Sequence, residues 1–354
     1  MEKKVLAEEI FNVDAEILKS VLQFTTNKTK MDILNTIIFE VKNKSLYIKS
    51  CDLTSYIIVE VPASITRAST FAISNKAKNI LANLQKDVLV QDGGQFVVFQ
   101  GKKTQYKFAK KDLDAYPQFP DEEPYEILTV VPNHIFTFGF SFVNDVLDKQ
   151  HNNIQITFNK DKQTIEFFAT NNQVLKIATY PFPVSQQAVI NLSPESIEPF
   201  FKLAPLSEIE IGESGTFYSF KAPNINLFIR KHYAEVIDYE RFLKAPKDQY
   251  AVIDTEALNR LIQLARLGQI IRLTINNDTV AVALENGKDT GEDEIFCKNT
   301  GFSGSYTFYY EDVIKFFNKV KGEEVYLYSL DENVLSLYSK ESDWNFYCSA
   351  ISRE

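Results

Sequence analysis

The chain has 354 residues, of which 45% are hydrophobic and 24% are charged, and this composition excludes a disordered or collagen-like protein. The length suggests two or three domains, because single hydrophobic cores stop growing at roughly 250–300 residues. The 38 Lys and Arg residues against 47 Asp and Glu residues give a net charge of −9, so a basic tail that binds nucleic acid is not expected.

Two kinds of predicted helix recur three times along the chain, at intervals of about 120 residues. Each shows apolar residues at spacings of three and four, which form one apolar face. The first kind is expected over 14–24, 133–146 and 255–266, with Asp14, Asn133 and Thr255 as N-caps, and the second over 75–86, 194–202 and 312–321. The alternating phenylalanines of 133–146 also fit a strand, and the repeat register favours a helix.

Short segments rich in β-branched and aromatic residues lie between the helices and predict antiparallel strands, about eight in each repeat. Examples are 33–41, 46–50, 56–61, 88–91, 96–99, 106–109, 154–158, 165–170, 325–329 and 334–338. Two helices can cover one face of such sheets. The sequence therefore predicts an α+β protein of three tandem repeats, over 1–123, 124–245 and 246–354.

Four short segments carry a resemblance to the bacterial-type DNA polymerase sliding clamp, the β processivity factor. In the first repeat these are DILNTIIF (32–39), LYIKSCDL (46–53) and YPQFP (116–120), and in the third repeat FYYEDVIKFF (308–317). The run ATNNQVL (169–175) departs from the family pattern A-T-D-G-[HY]-R-L, and the end CSAISRE (348–354) lacks the usual P-[MV]-R. The chain thus resembles a divergent member, and a phage or plasmid origin is one interpretation of the departures.

The resemblance implies the clamp fold and a processivity factor without enzymatic activity or cofactor. Such a protein closes as a ring-shaped homodimer around double-stranded DNA, without reading its sequence, and binds the replicative DNA polymerase and the clamp loader. A two-fold operation would join the first repeat of each chain to the third repeat of the other. The implied dimer interface contains Tyr106, Phe108, Leu264 and Leu267. These four residues fit ordinary core positions equally well.

The charge distribution fits a ring lined by helices. The six predicted helices carry a net charge of +3, which leaves −12 for the rest of a chain whose total is −9. Sequence-independent binding needs Lys and Arg that contact phosphates. The candidate DNA-binding residues are Lys19, Lys76, Lys78, Arg260, Arg266, Lys315, Lys319 and Lys321. Taken singly, each lysine is more often simply part of the solvated face of an amphipathic helix.

The family's partner proteins dock short peptides in an apolar cleft, which the resemblance transfers to ten positions of this chain. These are Thr170, Asn172, Gln173, Val174, Leu175, Ile237, Phe242, Tyr347, Ser349 and Ile351. Leu175, Ile237 and Phe242 also fit core positions near a domain junction. Val174 replaces an Arg of the family, and Phe242 a smaller aliphatic residue. We therefore expect a shallower, more apolar pocket that binds the peptides of ordinary clamps poorly.

Other classes of protein are disfavoured by the sequence. His134, His151 and His232 lie far apart, and no zinc or P-loop spacing occurs. The three cysteines are widely spaced and without a C-x-x-C pair, so we expect buried free thiols. Without a signal peptide or a long apolar run, the chain is expected to be cytosolic, with no membrane partner. The remaining alternative is a non-enzymatic scaffold of repeats that does not encircle DNA.

Overall fold

The computed structural model describes residues 7–24, 31–122, 124–203, 207–232, 234–246, 248–254, 256–257, 259–260, 263, 269–287, 289–312 and 324–353. These residues form antiparallel sheets with few helices, and the expected α+β class is confirmed. Two compact units divide the chain, Met1–Asn133 with Glu195–His232 and His134–Pro194 with Tyr233–Glu354. Strands of the second predicted repeat occur in both units, and the repeat boundaries stay a prediction.

In its described part, the first unit contains two sheets, whose strands we number in chain order. The five-stranded sheet has the order β5 (Ala63–Ile65), β1 (Glu8–Asp14), β7 (Asp87–Asp92), β8 (Phe96–Gln100), β9 (Gln105–Ala109). The eight-stranded sheet has the order β10 (Glu126–Pro132), β15 (Glu208–Glu213), β16 (Phe217–Ala222), β17 (Ile225–Arg230), β4 (Ser55–Val61), β3 (Ser45–Cys51), β2 (Thr36–Lys42), β6 (Ser69–Ser74). Phe11 and Phe99 of the smaller sheet pack on Phe39 of the larger one, with ring centroids 6.3 and 5.6 Å apart.

The described part of the second unit also contains two sheets. The nine-stranded sheet has the order β14 (Ala188–Leu192), β11 (Ile154–Asn159), β12 (Thr164–Thr170), β13 (Val174–Pro181), β26 (Trp344–Ile351), β25 (Val334–Glu341), β24 (Glu324–Asp331), β18 (Ala251–Asp254), β22 (Lys298–Asn299). The four-stranded sheet has the order β21 (Asp289–Phe296), β20 (Thr279–Asn286), β19 (Ile270–Asn276), β23 (Gly304–Tyr309).

The helices agree with the predicted positions better than with the predicted lengths. The helices whose bounds lie within the described residues are α1 (Ala15–Gln23), α2 (Ala77–Leu81), α3 (Asn133–Asn144) and α4 (Pro194–Leu203), with 3-10 turns at Asp32–Leu34, Pro120–Glu122 and Glu240–Phe242. The expectation of a helix over 75–86 was wrong in length, because α2 spans only Ala77–Leu81 and turns follow it. Lys86, which has a φ of +62°, could not have been part of a helix. The strand expected from residue 33 begins at Thr36, because the preceding residues form a 3-10 turn.

Two of the predicted helix starts can be examined directly. The Asp14 carboxylate accepts hydrogen bonds from the amides of Glu16 and Ile17 at 2.8 and 3.0 Å and caps α1 as expected. The phenylalanine-rich segment is the helix α3, as the repeat register predicted. Most of the helices predicted over 255–266 and 312–321 lie outside the described residues, and so does Thr255. Its neighbour Asp254 accepts a hydrogen bond from the Ala257 amide at 2.7 Å.

Gly139 permits the close packing of α3 on the nine-stranded sheet. A Cβ atom at this position would lie 2.4 Å from Cδ2 of Phe167, whose side chain is fully buried. We expect Gly139→Ala to lower the free energy of unfolding by about 1–2 kcal/mol, because the overpacking cost exceeds the gain in helix propensity. Denaturant unfolding measures the change, with the exposed His134→Ala on the same helix as control. An unchanged midpoint for Gly139→Ala would contradict the close contact.

Two expectations about the chain as a whole can be compared with the structure. Cys51, Cys297 and Cys348 are all buried and free, as predicted. Within the described ranges, no helix is both long and apolar enough to span a bilayer.

Candidate functional site

A cavity of about 440 Å³ opens at one face of the nine-stranded sheet in the second unit. One wall is the turn between β12 and β13, and another is a segment over residues 237–244, which we call the strap. The rest of the cavity is lined by the ends of β24 and β26 and by the start of β25. Nine of the ten residues expected in the partner cleft line this cavity: Thr170, Asn172, Gln173, Val174, Leu175, Ile237, Phe242, Ser349 and Ile351.

The tenth expected residue, Tyr347, lies beside the cavity. It packs with Leu175 and Phe242 against a buried cluster that contains Phe168, Ile177 and Tyr239. Burial raises the pKa of Tyr347 to about 12, so its hydroxyl is protonated at neutral pH. Leu175 and Phe242 are only partly buried. Each therefore contacts the hydrophobic cluster and is also exposed to the cavity.

Sequence reasoning missed eight further lining residues. They are Phe168, Asp238, Tyr239, Arg241, Lys244, Leu330, Asp331 and Val334. Phe168 and Tyr239 read as ordinary core residues in the sequence, and the turn that carries Leu330 and Asp331 is remote in the chain. The lining combines apolar with polar side chains, and the charges of Asp238 and Asp331 balance those of Arg241 and Lys244.

The turn between β12 and β13 is held rigidly by its own side chains. The Asn171 side-chain oxygen accepts hydrogen bonds from the amides of Gln173 and Val174 at 3.1 and 2.8 Å. The Thr170 hydroxyl donates to the Val174 carbonyl at 3.0 Å. Asn172 adopts a φ of +68°, which Asn tolerates better than most residues. This wall of the cavity is therefore formed before any ligand binds.

The outer side of the same turn contacts a histidine. Nε2 of His151 lies 2.8 Å from Nδ2 of Asn172, and its Nδ1 lies 3.1 Å from the Asp148 carboxylate. Hydrogen bonds from the backbone amides of His151 and Gln150 hold the pKa of Asp148 below its usual range. The charged Asp148 thereby orients the imidazole that supports the rim.

The described candidate DNA-binding residues fall into two groups. Lys19 lies on α1, Lys78 lies on α2, and Lys76 is the N-cap residue of α2, so the three lysines lie at two adjacent helices of the first unit. Within the described ranges none of them has an ion-pair partner. Arg260 is exposed, but its guanidinium lies 2.6 Å from the Asp293 carboxylate, which offsets its charge. Arg266, Lys315, Lys319 and Lys321 lie outside the described residues.

The candidate dimer residues Tyr106 and Phe108 lie on β9, at the edge of the five-stranded sheet. Their side chains are half-buried, and the ring of Phe108 packs edge-to-face on Phe99 with centroids 5.7 Å apart. Leu264 and Leu267 lie outside the described residues.

The order of the strands reveals a repeated way of joining sheets. In the eight-stranded sheet, the run β10–β15–β16–β17 joins the run β4–β3–β2–β6 through the pair of β17 with β4. In the nine-stranded sheet, β18–β24–β25–β26 joins β13–β12–β11–β14 in the same way, through β26 and β13. A third run of each type exists. The run β1–β7–β8–β9 corresponds to β10–β15–β16–β17, and the run β21–β20–β19–β23 corresponds to β4–β3–β2–β6. In the part of the chain that the structure describes, the outer edges of β9 and β21 have no partner strand.

Several solved structures of bacterial sliding clamps have a similar fold. The chain matches the DNA polymerase beta subunit of Streptococcus pyogenes with a TM-score of 0.86 at 16% identity, covering 97% of this chain and 99% of that one. It matches the DNA polymerase III beta subunit of Thermotoga maritima with a TM-score of 0.84 at 16% identity, covering 98% and 100%. The chain has the sliding-clamp fold. For the beta subunit from Pseudomonas aeruginosa the TM-score is 0.85 at 15% identity, covering 97% and 99%.

Comparisons of sequence alone do not identify the sliding-clamp fold. No protein-family model matches the chain, and no curated protein sequence matches it significantly. The identities of 15–16% explain why, since the sheets keep their order while most side chains differ. The resemblance of short segments to the sliding clamp is confirmed at the level of the fold.

One feature of the unpaired edges in the sliding-clamp fold was missed in the sequence. The strand β21 carries the acidic run Glu292–Glu294 and ends at Phe296, which is 83% exposed. The turn before β9 carries Lys102 and Lys103, and β9 itself carries Lys107. The edges formed by β9 and β21 therefore have opposite charge.

Proposed function

We propose that the protein is a DNA polymerase processivity factor that works in the cytosol as a ring-shaped homodimer around duplex DNA. The clamp loader would open the ring, and the cavity at the strap would bind peptides of the replicative polymerase and other partners. The sliding-clamp fold over nearly the whole chain supports the general role. The observation that carries ring closure is the pair of free, oppositely charged edges.

The two joins inside the chain supply a register for the third. In the first join Leu227 of β17 pairs with Ile57 of β4, and in the second Cys348 of β26 pairs with Lys176 of β13. All four side chains are buried toward the core. Strand positions in one repeat can be matched with those in another by counting residues along the paired strands. The count starts from the backbone hydrogen bonds at the start of each helix. The same joining rule then predicts one register for β9 of one copy on β21 of the other.

That register pairs Tyr106 with Gly291 of a second copy. It brings Lys103 opposite Glu294, and neither side chain has an ion-pair partner in the described part of the chain. The exposed Phe296 would be covered at the same contact. Pairing the two edges satisfies their free backbone groups and removes an aggregation hazard. Two such contacts, related by two-fold symmetry, would close a dimer.

The DNA-binding proposal rests on lysines at adjacent helices that have no ion-pair partner among the described residues. Lys19, Lys76 and Lys78 carry positive charge on a chain of net charge −9. Lysines of this kind contact phosphates without reading bases, and their affinity falls steeply with salt. A closed ring would also be linked topologically to the DNA. Its retention would then depend on whether the DNA has open ends, and not on the salt concentration.

The test threads the protein onto a bead-tethered linear duplex from its free end, which is then blocked with a bulky protein. We expect the clamp to stay on the blocked duplex at high salt and to leave when a restriction enzyme removes the block. Duplex left open throughout is the control. Equal retention on blocked and open duplex would contradict encirclement and favour a scaffold that does not surround DNA.

A further inference from the structure

The strap has little structure of its own, although it forms a wall of the cavity. Between residues 237 and 244 its only regular element is the 3-10 turn Glu240–Phe242, and no strand pairing is seen there. Isolated segments of this kind lose considerable conformational entropy when they are fixed. The position of the strap must therefore come from contacts with the sheet beneath it.

The first contact is a two-point hydrogen bond from Gln155 on β11. Its Nε2 donates to the Ile237 carbonyl at 3.1 Å, and its Oε1 accepts from the Ile237 amide at 2.9 Å. Gln155 is only 4% exposed. Its side chain thus offers both groups of one strap residue the partners that a neighbouring strand would supply.

The second contact is a buried network around Tyr239. The Tyr239 hydroxyl donates to Oε2 of Glu166 at 3.0 Å and accepts from the Thr157 hydroxyl at 2.8 Å. The Thr164 hydroxyl donates to the other carboxylate oxygen of Glu166 at 3.0 Å. Burial raises the pKa of Tyr239, and the charge of Glu166 raises it further, so the phenol remains a donor. Its ring also stacks on Phe168 with centroids 4.7 Å apart.

Two further contacts fix the middle and the far end of the strap. Nζ of Lys162 lies 3.0 Å from the Glu240 carboxylate. The Tyr328 hydroxyl on β24 donates to the Lys244 carbonyl at 3.0 Å. The strap is therefore held along its length, from β11 to β24, by side chains of the sheet.

We propose that Gln155, Thr157 and Glu166, none of which lines the cavity, are positioning residues that hold the strap as a preformed wall for a partner peptide. The proposal rests on the proposed function, because the ligand is the peptide of a partner protein. A preformed wall strengthens binding by removing the cost of ordering the strap when the ligand arrives. Affinity then depends on residues that the peptide never touches.

The test uses Gln155→Leu and Glu166→Leu, with Asn191→Leu as the matched control. Asn191 also has a buried side-chain amide. It lies on β14 of the same sheet, directly opposite Gln155 on β11. The probe is a synthetic peptide that is selected from a random library on the wild-type protein and requires Leu175 and Phe242 for binding. Hydrogen exchange of the Ile237 amide reports the position of the strap independently of the peptide.

We expect both variants to speed exchange at Ile237 and to weaken the peptide about 3–10-fold, with Asn191→Leu unchanged in both measurements. Faster exchange with unchanged affinity would overturn the proposal, and so would weaker binding with unchanged exchange. Failure of the wild type to select any such peptide would instead overturn the cleft itself. If Gln155→Leu does not fold, Gln155→Glu replaces it. This variant keeps the acceptor for the Ile237 amide and loses the donor to the Ile237 carbonyl. We expect its effect on peptide affinity to lie between the wild type and the loss expected for Gln155→Leu.

Discussion

Lys103→Glu is expected to dissociate the dimer, raising its dissociation constant roughly 10²–10³-fold. The proposed register brings residue 103 of one copy against Glu294 of the other, so the variant places two carboxylates together at both contacts of the ring. Close charge pairs at interfaces couple by at least about 1.5 kcal/mol, and a two-fold ring contains two of them. Light scattering after gel filtration, over a range of protein concentrations, measures the change.

The reciprocal substitution provides the decisive comparison. Adding Glu294→Lys to Lys103→Glu restores opposite charges and should recover the dimer, whereas Glu294→Lys alone should resemble Lys103→Glu. The control is Lys42→Glu, an exposed lysine at the end of β2 in the interior of the eight-stranded sheet. If the double variant dissociates as fully as the single ones, or if none dissociates, the proposed register is wrong.

The double variant Leu175→Ala with Phe242→Ala is expected to weaken a C-terminal peptide of the cognate polymerase by about 100-fold or more. Both side chains line the cavity and pack against the same hydrophobic cluster. Central apolar anchors of an interface typically contribute 2 kcal/mol or more each when they are truncated. Fluorescence titration of a labelled peptide measures the loss.

A matched pair elsewhere in the chain controls for general destabilisation. Leu53 and Phe119 are also partly buried, and they pack against a different cluster in the first unit. Leu53→Ala with Phe119→Ala should cost similar stability and leave peptide affinity unchanged. Unchanged affinity in the Leu175 and Phe242 variant, with its fold intact, would place the partner site elsewhere.

Local patterns in the sequence were sufficient for most elements of the fold. The helix α3 was predicted despite its alternating phenylalanines, because the 120-residue register favoured a helix over a strand. The end of α2 was predicted too late, since the apolar spacing continues to Leu84 although the helix ends at Leu81. The 3-10 turn before Thr36 was missed because Ile33 and Leu34 have the composition of a strand.

The site was less accessible to sequence reasoning, because its contacts join distant segments. Gln155 meets Ile237 across 82 positions, and Tyr239 meets Glu166 across 73. Neither pair has a periodic signal, and a buried Gln or Glu cannot be recognised without knowing which strand it faces. The residues of the cleft were expected only through the family resemblance. The charges of β9 and β21 were visible in the sequence, but their meaning depends on which strand edges remain unpaired.

The burial of all three cysteines makes the native protein nearly inert toward thiol reagents. Burial raises the pKa of Cys51, Cys297 and Cys348, so the reactive thiolate is scarce at neutral pH. A cysteine introduced on the surface would consequently be alkylated far faster than the native ones. Fluorophores can therefore be attached at single chosen positions without first removing any natural thiol, and the packed interior stays unaltered.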